Sequence, residues 1–433
     1  MESPFARRRD RLLREIGASA LVLLPGATMR PRNGDASYRF RQDSDFWYLT
    51  GFDEPDAVAL LAPGRERRFL LFVRPRDPER EVWDGRRAGV EGATRDYGAD
   101  EAFPIAELDA KLPGLLENVD DLYFPLGRDA AWDIKVTSLL ERARSLERRG
   151  VRAPRRVLDP RELTAEMRLR KEPVELAALA RAAAITVEAH QAAMRAARDG
   201  TWEYEIEAEI EHVFRRRGAR GPGYTTIVGA GANATILHYV DNRSRLEEGQ
   251  LLLVDAGAEF DFYTADVTRT VPVGGRFRRP ARRVYDAVLE AQQAAIARVR
   301  AGATLDDIHA GALEVLVRHL YEMKVLAEPP AEAIEKGSYK RYYMHRTSHW
   351  LGLDVHDAGS YRVGGGPRPL EPGFVLTVEP GLYFAVDDAT VPEEYRGLGV
   401  RIEDDVLVTA EGAEVLTAAA PKRPADLEKI VAR

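Results

Sequence analysis

The segment Leu251 to Gly257 (Leu-Leu-Leu-Val-Asp-Ala-Gly) constrains the fold of this chain most strongly. Four consecutive apolar residues predict a strand that is buried on both faces. The strand ends in Asp255, and a carboxylate is costly to bury unless a positive charge compensates it. The pattern therefore predicts a buried strand whose terminal acid has a cationic partner.

A second β-rich stretch, Tyr263 to Thr270, carries one acid, Asp266, and follows the first after a short turn. The two stretches predict a hairpin. Folding about Phe260 and Asp261 would place Asp255 directly opposite Asp266, with their side chains roughly 5 Å apart. Two carboxylates at that distance repel unless they share a proton or bind cations. The hairpin is therefore the first indication of a metal site.

The composition of the 433 residues limits the kinds of site that the chain can build. There is no cysteine, which excludes disulfides, thiolate metal sites and a thiol nucleophile. A net charge of −7 gives no electrostatic reason to expect nucleic acid as a partner. The first ten residues lack an apolar segment and no apolar run has the length of a membrane span, so we expect a cytoplasmic location without membrane contact.

Residues 1–168 predict an N-terminal α/β domain, because apolar strand-like runs alternate with helical stretches. Phe5 to Ile16 and Asp129 to Arg148 are the predicted helices. The predicted strands are Ser19–Leu24, Phe46–Leu49, Ala57–Leu61, Phe69–Val73 and Leu122–Phe124. The segment from Val82 to Gly89, which contains Trp83, has no periodicity and is interpreted as a surface loop or a loop that reaches a binding site.

Residues 169–433 predict a second domain in which one pattern occurs twice, which indicates an internal repeat. Helices from Pro173 to Asp199 and from Tyr204 to Arg217 precede strands, and helices from Pro280 to Arg300 and from Leu305 to Met323 precede further strands. The predicted strands are Thr225–Val228, Ile236–Tyr239, the aspartate hairpin, Thr347–Val355, Phe374–Glu379 and Gly399–Val408. We expect an α+β fold in which helices cover curved antiparallel sheets around a cleft.

The second half also carries acids where strands should be apolar. Glu379 ends the run Val375 to Val378, and Glu403 lies in a stretch where Val400 and Ile402 alternate with Arg401 and Glu403. Three of the eight histidines, His345, His349 and His356, fall within twelve residues, and His238 lies in another predicted strand. Each repeat therefore supplies two carboxylates, and the second adds a cluster of imidazoles.

Four carboxylates and one imidazole form an oxygen-rich ligand set that suits a pair of Mn²⁺ or Co²⁺ ions. Asp266 and Glu403 would bridge ions about 3.5–4 Å apart, and a hydroxide between the ions would be a nucleophile at neutral pH. The alternative is that these acids are exposed and paired with Arg269 and Arg401, which the apolar flanking residues disfavour. A serine nucleophile elbow and a phosphate-binding loop are both missing from the sequence.

Five motifs together resemble the Xaa-Pro aminopeptidases (aminopeptidase P) of the pita-bread metallopeptidase family. They are Val254–Gly257, Asp266–Thr270, the stretch from His345 to Asp357, Thr377–Tyr383 and Arg401–Asp405. The resemblance extends over nearly the whole chain, and it implies a pita-bread catalytic domain behind an N-terminal domain of the aminopeptidase P type.

The resemblance implies that two Mn²⁺ ions, or Co²⁺ or Zn²⁺ in their place, hydrolyse the bond before a proline in the second position of a peptide through a bridging hydroxide. Asp255 would bind one ion, Asp266 and Glu403 would bridge both, and His349 and Glu379 would each bind one. Glu379 would also carry a proton from the water to the leaving proline nitrogen.

The remaining implied roles concern substrate. His238 and His356 would hold the scissile carbonyl and the oxyanion. His345 would line the proline pocket, and Arg401 and Tyr383 would orient ligands and the proton path. A proline nitrogen has no N–H to donate, so a dedicated pocket must replace the lost backbone contact.

The sequence leaves three points open. The family has a basic residue in the loop after the third histidine that contacts the substrate tail, and Arg362 and Arg368 both qualify here. The resemblance also implies homodimers or homotetramers, with Trp83 directed at a neighbouring subunit's cleft. The alternatives to the aminopeptidase are a prolidase that cleaves only dipeptides and an inactive pita-bread module that binds other macromolecules; such inactive relatives lose ligands that this chain retains.

Overall fold

The computed structural model describes residues 3–432 and divides into two compact units, Met1–Met167 and Arg168–Arg433. Among the described residues, no helix combines the length and the apolar character needed to cross a bilayer. The helix Arg161–Leu169 contains the boundary between the units.

The N-terminal unit is built on a mixed six-stranded sheet, as the alternating sequence pattern predicts. In spatial order its strands are Glu101–Pro104, Phe69–Val73, Val58–Leu61, Ala20–Pro25, Asp121–Tyr123 and Arg156–Leu158. The central strands Ala20–Pro25, Val58–Leu61 and Phe69–Val73 are buried except at Pro25, as their continuous apolar runs predict. The helices are Pro4–Glu15, Ser44–Thr50, Pro78–Asp84, Gly89–Arg95, Leu108–Leu115 and Ala130–Ser145, and a small hairpin joins Pro31–Asn33 to Ala36–Ser37.

The predicted strand Phe46–Leu49 is wrong, because these residues lie in the helix Ser44–Thr50. The Asp43 side chain accepts a hydrogen bond from the Phe46 N–H at the start of the helix, and Gly51 ends it in the left-handed conformation. These two caps override the β-propensity of the aromatic run. Trp83 is likewise on the helix Pro78–Asp84 and not in a loop, with 84% of its surface exposed.

The C-terminal unit contains two helix pairs, Pro173–Ala196 with Glu203–Arg216 and Arg279–Ile296 with Leu305–Glu322, and the two members of each pair pack on each other. The periodic apolar residues predicted all four helices. Thr304 begins the last one as expected: its side chain accepts from the Asp307 N–H, a cap worth about 1 kcal/mol. The shorter helices of this unit are Pro330–Lys336 and Pro424–Val431.

In the part of the chain that the structure describes, this unit contains three three-stranded antiparallel sheets, and two of them repeat one arrangement. The first has the order Ile227–Ala230, Leu251–Ala256, Val267–Pro272, and the second has Val375–Val378, Asp404–Val408, Ala413–Val415. In both sheets, the strands that contain or adjoin the acidic residues are almost fully buried. The remaining strands are Gly221–Pro222, Ala258–Phe260, Tyr263–Thr264, Arg362–Val363, Gly366–Pro367, Gly381–Tyr383 and Gly399–Arg401. The α+β fold and its internal repeat are as predicted.

The predicted register of the aspartate hairpin is wrong by two residues, because Asp255 lies opposite Thr268 and not opposite Asp266. The turn is centred on Asp261 and Phe262, which both have positive φ, one residue later than expected. A shift of the centre by one residue moves the register by two and leaves every side chain on its predicted face. Gly257 permits the tight crossing, since a Cβ there would lie 1.7 Å from the carbonyl oxygen of Ala265.

Three other predicted strands differ from the structure. Ile236–Tyr239 continues as turns from the 3-10 helix Gly231–Thr235. The segment predicted as strand Thr347–Val355 runs beside Val375–Val378 with a single bridge from Trp350 to Leu376, because the Thr377 hydroxyl accepts the His349 N–H. The predicted strand Gly399–Val408 is two strands, Gly399–Arg401 and Asp404–Val408, interrupted at Glu403.

Candidate active site

The C-terminal unit contains a cavity of about 890 Å³ in which nearly all the predicted site residues meet. This size lies towards the upper end of the usual ~300–1,000 Å³ range of ligand pockets. The predicted residues on its wall are His238, Asp255, Asp266, His345, His349, His356, Arg362, Glu379, Arg401 and Glu403. Tyr383 is buried and contacts two of them, Arg401 and His345.

The five predicted metal ligands converge. Asp266, His349 and Glu403 each offer a ligand atom, and these atoms lie within 4.8 Å of one another. His349 Nε2 is 3.3 Å from Asp266 Oδ2 and 3.5 Å from Glu379 Oε1. Asp255 is tied to Asp266 through a shared hydrogen-bond donor, Tyr224. Residues that are far apart in sequence thus form one cluster.

The backbone places the two acids predicted to bridge the ions. The Asp266 N–H donates to both carboxylate oxygens of Asp405, at 3.1 and 3.2 Å. Glu403 lies in the break between two strands, and its N–H donates to the Thr268 carbonyl at 3.1 Å. The Arg269 guanidinium, fully buried, donates to the Glu403 carbonyl and to the Asp404 carboxylate. The strand break therefore turns Glu403 towards the cavity instead of continuing the sheet.

Arg401 connects several of these groups. Its guanidinium donates to Asp255 Oδ2 at 2.5 Å, to the Thr268 hydroxyl at 3.0 Å and to the Tyr383 hydroxyl at 3.0 Å. The Thr268 hydroxyl in turn donates to Glu403 Oε2 at 2.6 Å. Arg401 thus contacts the Asp255 carboxylate directly and the Glu403 carboxylate through the Thr268 hydroxyl. The alternative in which Asp255 and Arg401 form an exposed pair is wrong, because both are buried.

Tyr224 is a site residue that the sequence analysis missed. Its hydroxyl lies 2.6 Å from Asp255 Oδ1 and 2.6 Å from Asp266 Oδ1. Burial, the first cause, and the neighbouring carboxylates raise the pKa of Tyr224 well above its ordinary value, so the hydroxyl keeps its proton. The available signal was an aromatic residue among glycine and threonine just before a strand, which is too common a pattern to be diagnostic.

We expect Tyr224→Phe to weaken divalent-metal binding by about 10- to 100-fold without unfolding the protein. The substitution removes the hydroxyl that lies between Asp255 and Asp266, at 2.6 Å from each, and keeps the aromatic ring. Titration calorimetry with Mn²⁺ measures the affinity. Tyr285→Phe is the control, since Tyr285 is a buried tyrosine whose hydroxyl donates to the Lys422 carbonyl, outside the cavity-lining set. Equal affinities in Tyr224→Phe and the unsubstituted protein would contradict this role.

The buried carboxylates of the cluster need positive charge or protons to balance their negative charges. Burial raises the pKa of Glu379 to about 7. Burial first, and then repulsion by Asp266, raises the pKa of Glu403 and of Asp405 well above the ordinary range. Burial lowers the pKa of His349, but its hydrogen bond to Asp266 and the charge of Glu379 outweigh this and raise the value to about 9. In this arrangement protons supply the positive charge that the carboxylates need.

The donor set fits a divalent ion. The Nδ1 atom of His349 lies 3.0 Å from the Trp350 carbonyl oxygen, which can only accept, so Nδ1 donates and Nε2, once it loses its proton, can offer its lone pair to an ion. Carboxylate oxygens with one imidazole nitrogen are the ligands that Mn²⁺, Co²⁺ and Zn²⁺ accept. The residues present therefore suit such ions.

The other predicted histidines border this cluster. The rings of His356 and His349 meet edge to face with centroids 4.5 Å apart. His345 Nδ1 donates to the Arg346 carbonyl, so its Nε2 accepts from the Tyr383 hydroxyl at 2.9 Å. Burial, followed by the charge of Arg401, lowers the pKa of His345 to about 3, and this ring is neutral. His238 is exposed on the cavity wall.

The two arginines of the loop after His356 have different environments in the structure. Arg362 is exposed and lies on the cavity wall, where its guanidinium donates to the Gly365 carbonyl. Arg368 is buried, and its N–H donates to the Tyr361 carbonyl. Of the two, Arg362 is therefore the one that lines the cavity. Trp83, which the resemblance directs at a neighbouring subunit's cleft, lies in the N-terminal unit.

Comparisons with known proteins agree over both units. The chain matches metallopeptidase family M24 over residues 177–410 and the N-terminal domain of aminopeptidase P over residues 5–123. It is 43% identical to Xaa-Pro aminopeptidase of Escherichia coli (strain K12) over 429 residues, which are 99% of this chain and 97% of that protein.

Solved structures give the same result. The chain is 46% identical to the aminopeptidase PepP of Pseudomonas aeruginosa, with a TM-score of 0.97 over 99% of this chain and 97% of that one. Zinc-substituted E. coli aminopeptidase P in complex with product is 42% identical, with a TM-score of 0.95 and coverage of 99% and 97%.

Proposed function

Because this chain belongs to metallopeptidase family M24 and matches Xaa-Pro aminopeptidases over almost its whole length, we infer that it removes the N-terminal residue from peptides whose second residue is proline. The observation that carries this inference is the convergence of Asp255, Asp266, His349, Glu379 and Glu403 in one cavity. The retained ligand set disfavours the inactive binding module, and the relatives named above disfavour the prolidase.

We propose that these five residues hold two Mn²⁺ ions. In this proposal Asp255 would bind one ion, and His349 and Glu379 would each bind one. Asp266 and Glu403 would bind both. The preponderance of carboxylate oxygen over nitrogen supports manganese over zinc, although a zinc-substituted relative has been solved. When bound, paired divalent ions lower the pKa of water and stabilise negative charge on the substrate.

Glu379 is the proposed proton carrier. Its carboxylate lies in the cavity, 3.5 Å from His349 and 3.6 Å from His345. It takes the proton from the attacking water and delivers it to the proline nitrogen as the peptide bond breaks. As in the hydrolysis of any amide, the nitrogen leaves as an amine only after this proton arrives, and the product proline then carries the N–H that the peptide bond lacked.

The remaining groups position the substrate. His238 and His356 lie on the cavity wall and are assigned to the scissile carbonyl and its oxyanion. His345, which burial keeps neutral and which hydrogen bonds to Tyr383 and the Arg346 carbonyl hold in place, is assigned to the pocket for the proline ring. Arg401 and Tyr383 hold the carboxylates and this ring in place.

Peptides of matched sequence test the function. We expect the enzyme with Mn²⁺ to cleave Ala-Pro-Ala rapidly, to leave Ala-Ala-Ala intact, and to cleave the dipeptide Ala-Pro more slowly. The same assay with Co²⁺ and Zn²⁺ tests the choice of metal, together with metal analysis of protein purified without added ions. Cleavage confined to the dipeptide would favour prolidase, and failure of every peptide with every ion would contradict the proposal.

The expected cytoplasmic location and the homodimeric or homotetrameric state belong to the same proposal. The exposed Trp83 and its neighbour Val82, 84% and 81% accessible, supply an apolar surface that supports self-association. Light scattering of Trp83→Ala beside the unsubstituted protein measures the oligomeric state.

A further inference from the structure

Two charged residues on the cavity wall have no part in the roles assigned above. Asp306 and Arg346 both line the cavity, and the Arg346 guanidinium donates to Asp306 Oδ1 in an ion pair. Asp306 lies in the first turn of the helix Leu305–Glu322, where a carboxylate is favourable. The two are 40 positions apart in sequence, so only the fold brings them together.

Arg346 lines the cavity next to the residue assigned to the proline pocket. It directly follows His345, the residue assigned to the proline pocket, and His345 Nδ1 is 3.6 Å from Glu379 Oε2. Glu379 gives its proton to the proline nitrogen in the mechanism above. We therefore assign the part of the wall that Arg346 and Asp306 form to the residues that follow proline in a peptide.

The ion pair is weak enough to be exchanged. The Arg346 and Asp306 side chains are 59% and 52% exposed. Pairs of this kind contribute little, since water screens both charges and two long side chains lose freedom. A charged group on a peptide can thus replace one partner at small cost, and the charge of the peptide decides which partner it replaces.

The charge balance of the outer wall favours an acidic peptide. Asp255 is paired with Arg401, and the other ligand carboxylates face the proposed ions. Among the cavity residues this leaves two guanidiniums, Arg346 and Arg362, and one carboxylate, Asp306. The wall therefore carries an excess positive charge that attracts an acid and repels a base.

We propose that Arg346 and Asp306 form an exchangeable ion pair that sets the preference for the residue after proline: an acidic side chain binds Arg346 in place of Asp306. This selectivity rests on the aminopeptidase function proposed above. It predicts opposite effects for the two partners, because removing Asp306 frees Arg346 and removing Arg346 leaves Asp306 to attract a base.

Three amidated peptides test the proposal without interference from a terminal carboxylate: Ala-Pro-Glu-NH2, Ala-Pro-Gln-NH2 and Ala-Pro-Lys-NH2. We expect kcat/KM to be higher for the Glu peptide than for the Lys peptide. Asp306→Asn should raise the Glu-to-Lys ratio roughly two- to fivefold, and Arg346→Gln should lower it by a similar factor. Both changes should shrink in 0.5 M salt because exposed charges are screened.

Arg298→Gln is the matched control, since Arg298 forms an exposed pair with Glu314 outside the cavity-lining set. It should leave the Glu-to-Lys ratio unchanged. Cleavage of the Gln peptide reports the aminopeptidase function alone, so its failure would overturn that function and this inference together. Normal cleavage of the Gln peptide with the same Glu-to-Lys ratio in Asp306→Asn and Arg346→Gln would overturn only the inference.

Discussion

Glu379→Ala is expected to reduce kcat by about 10³-fold or more, which amounts to loss of measurable turnover. The carboxylate has two assigned tasks, since it binds an ion and carries the proton that releases the proline nitrogen. Glu379 is a cavity-lining acid outside the proposed bridging pair, and its carboxylate lies 3.5 Å from His349. Steady-state kinetics with Ala-Pro-Ala measures the effect.

Glu379→Gln separates the two tasks. The amide oxygen retains a weak metal contact, whereas the amide cannot accept and return a proton. We expect metal content near that of the unsubstituted protein together with the same large fall in kcat. Glu335→Ala on the exposed face of the helix Pro330–Lys336 is the control and should change neither quantity. Retained activity in Glu379→Ala would refute the proton-carrier assignment.

Removal of the divalent ions is expected to abolish activity and to make stability strongly dependent on pH. Without ions, the folded protein keeps protons on the cluster. The pKa of Glu379 rises to about 7 through burial, above the ordinary value of 4.5, and hydrogen bonding to Asp266 helps raise the pKa of His349 to about 9.

Both shifts act in the same direction on stability. A group whose pKa is raised in the fold contributes stability at pH values below its unfolded pKa and loses it as pH rises through the folded value. The metal-free protein should therefore lose stability steadily between about pH 5 and pH 9. Bound ions require the deprotonated ligands, so the stabilisation by Mn²⁺ should increase over the same range.

Differential scanning fluorimetry of chelator-treated and Mn²⁺-loaded protein at pH 5, 6, 7 and 8 measures this trend. We expect the difference in Tm between the two forms to grow with pH. Asp405 remains buried behind Asp266 in both forms and is not expected to reverse the trend. A Tm difference that is constant or shrinks with rising pH would show that the cluster is not the metal site.

The helices and the acids that meet in the cavity were predictable because their signals are local. Apolar periodicity and the Thr304 cap defined the long helices, and Asp255 and Glu379 were conspicuous because they end apolar strands. Predictions for the short strands failed more often. Phe46 to Leu49 became a helix through its caps, and His238 lies in a turn, because propensity over four residues is weaker than one well-placed hydrogen bond.

By itself the sequence determined the chemistry of this protein: which acids and imidazoles are available, that thiol chemistry is excluded, and that the acids must be buried beside cations. Only the tertiary structure decided their spacing. The centre of one turn set the position of Asp255 against Thr268, a strand break turned Glu403 inwards, and Tyr224 and Arg346 joined the site from distant segments. The physical reason is that hydrogen bonds and ion pairs between residues tens to hundreds of positions apart leave no periodic pattern in the chain, whereas burial does.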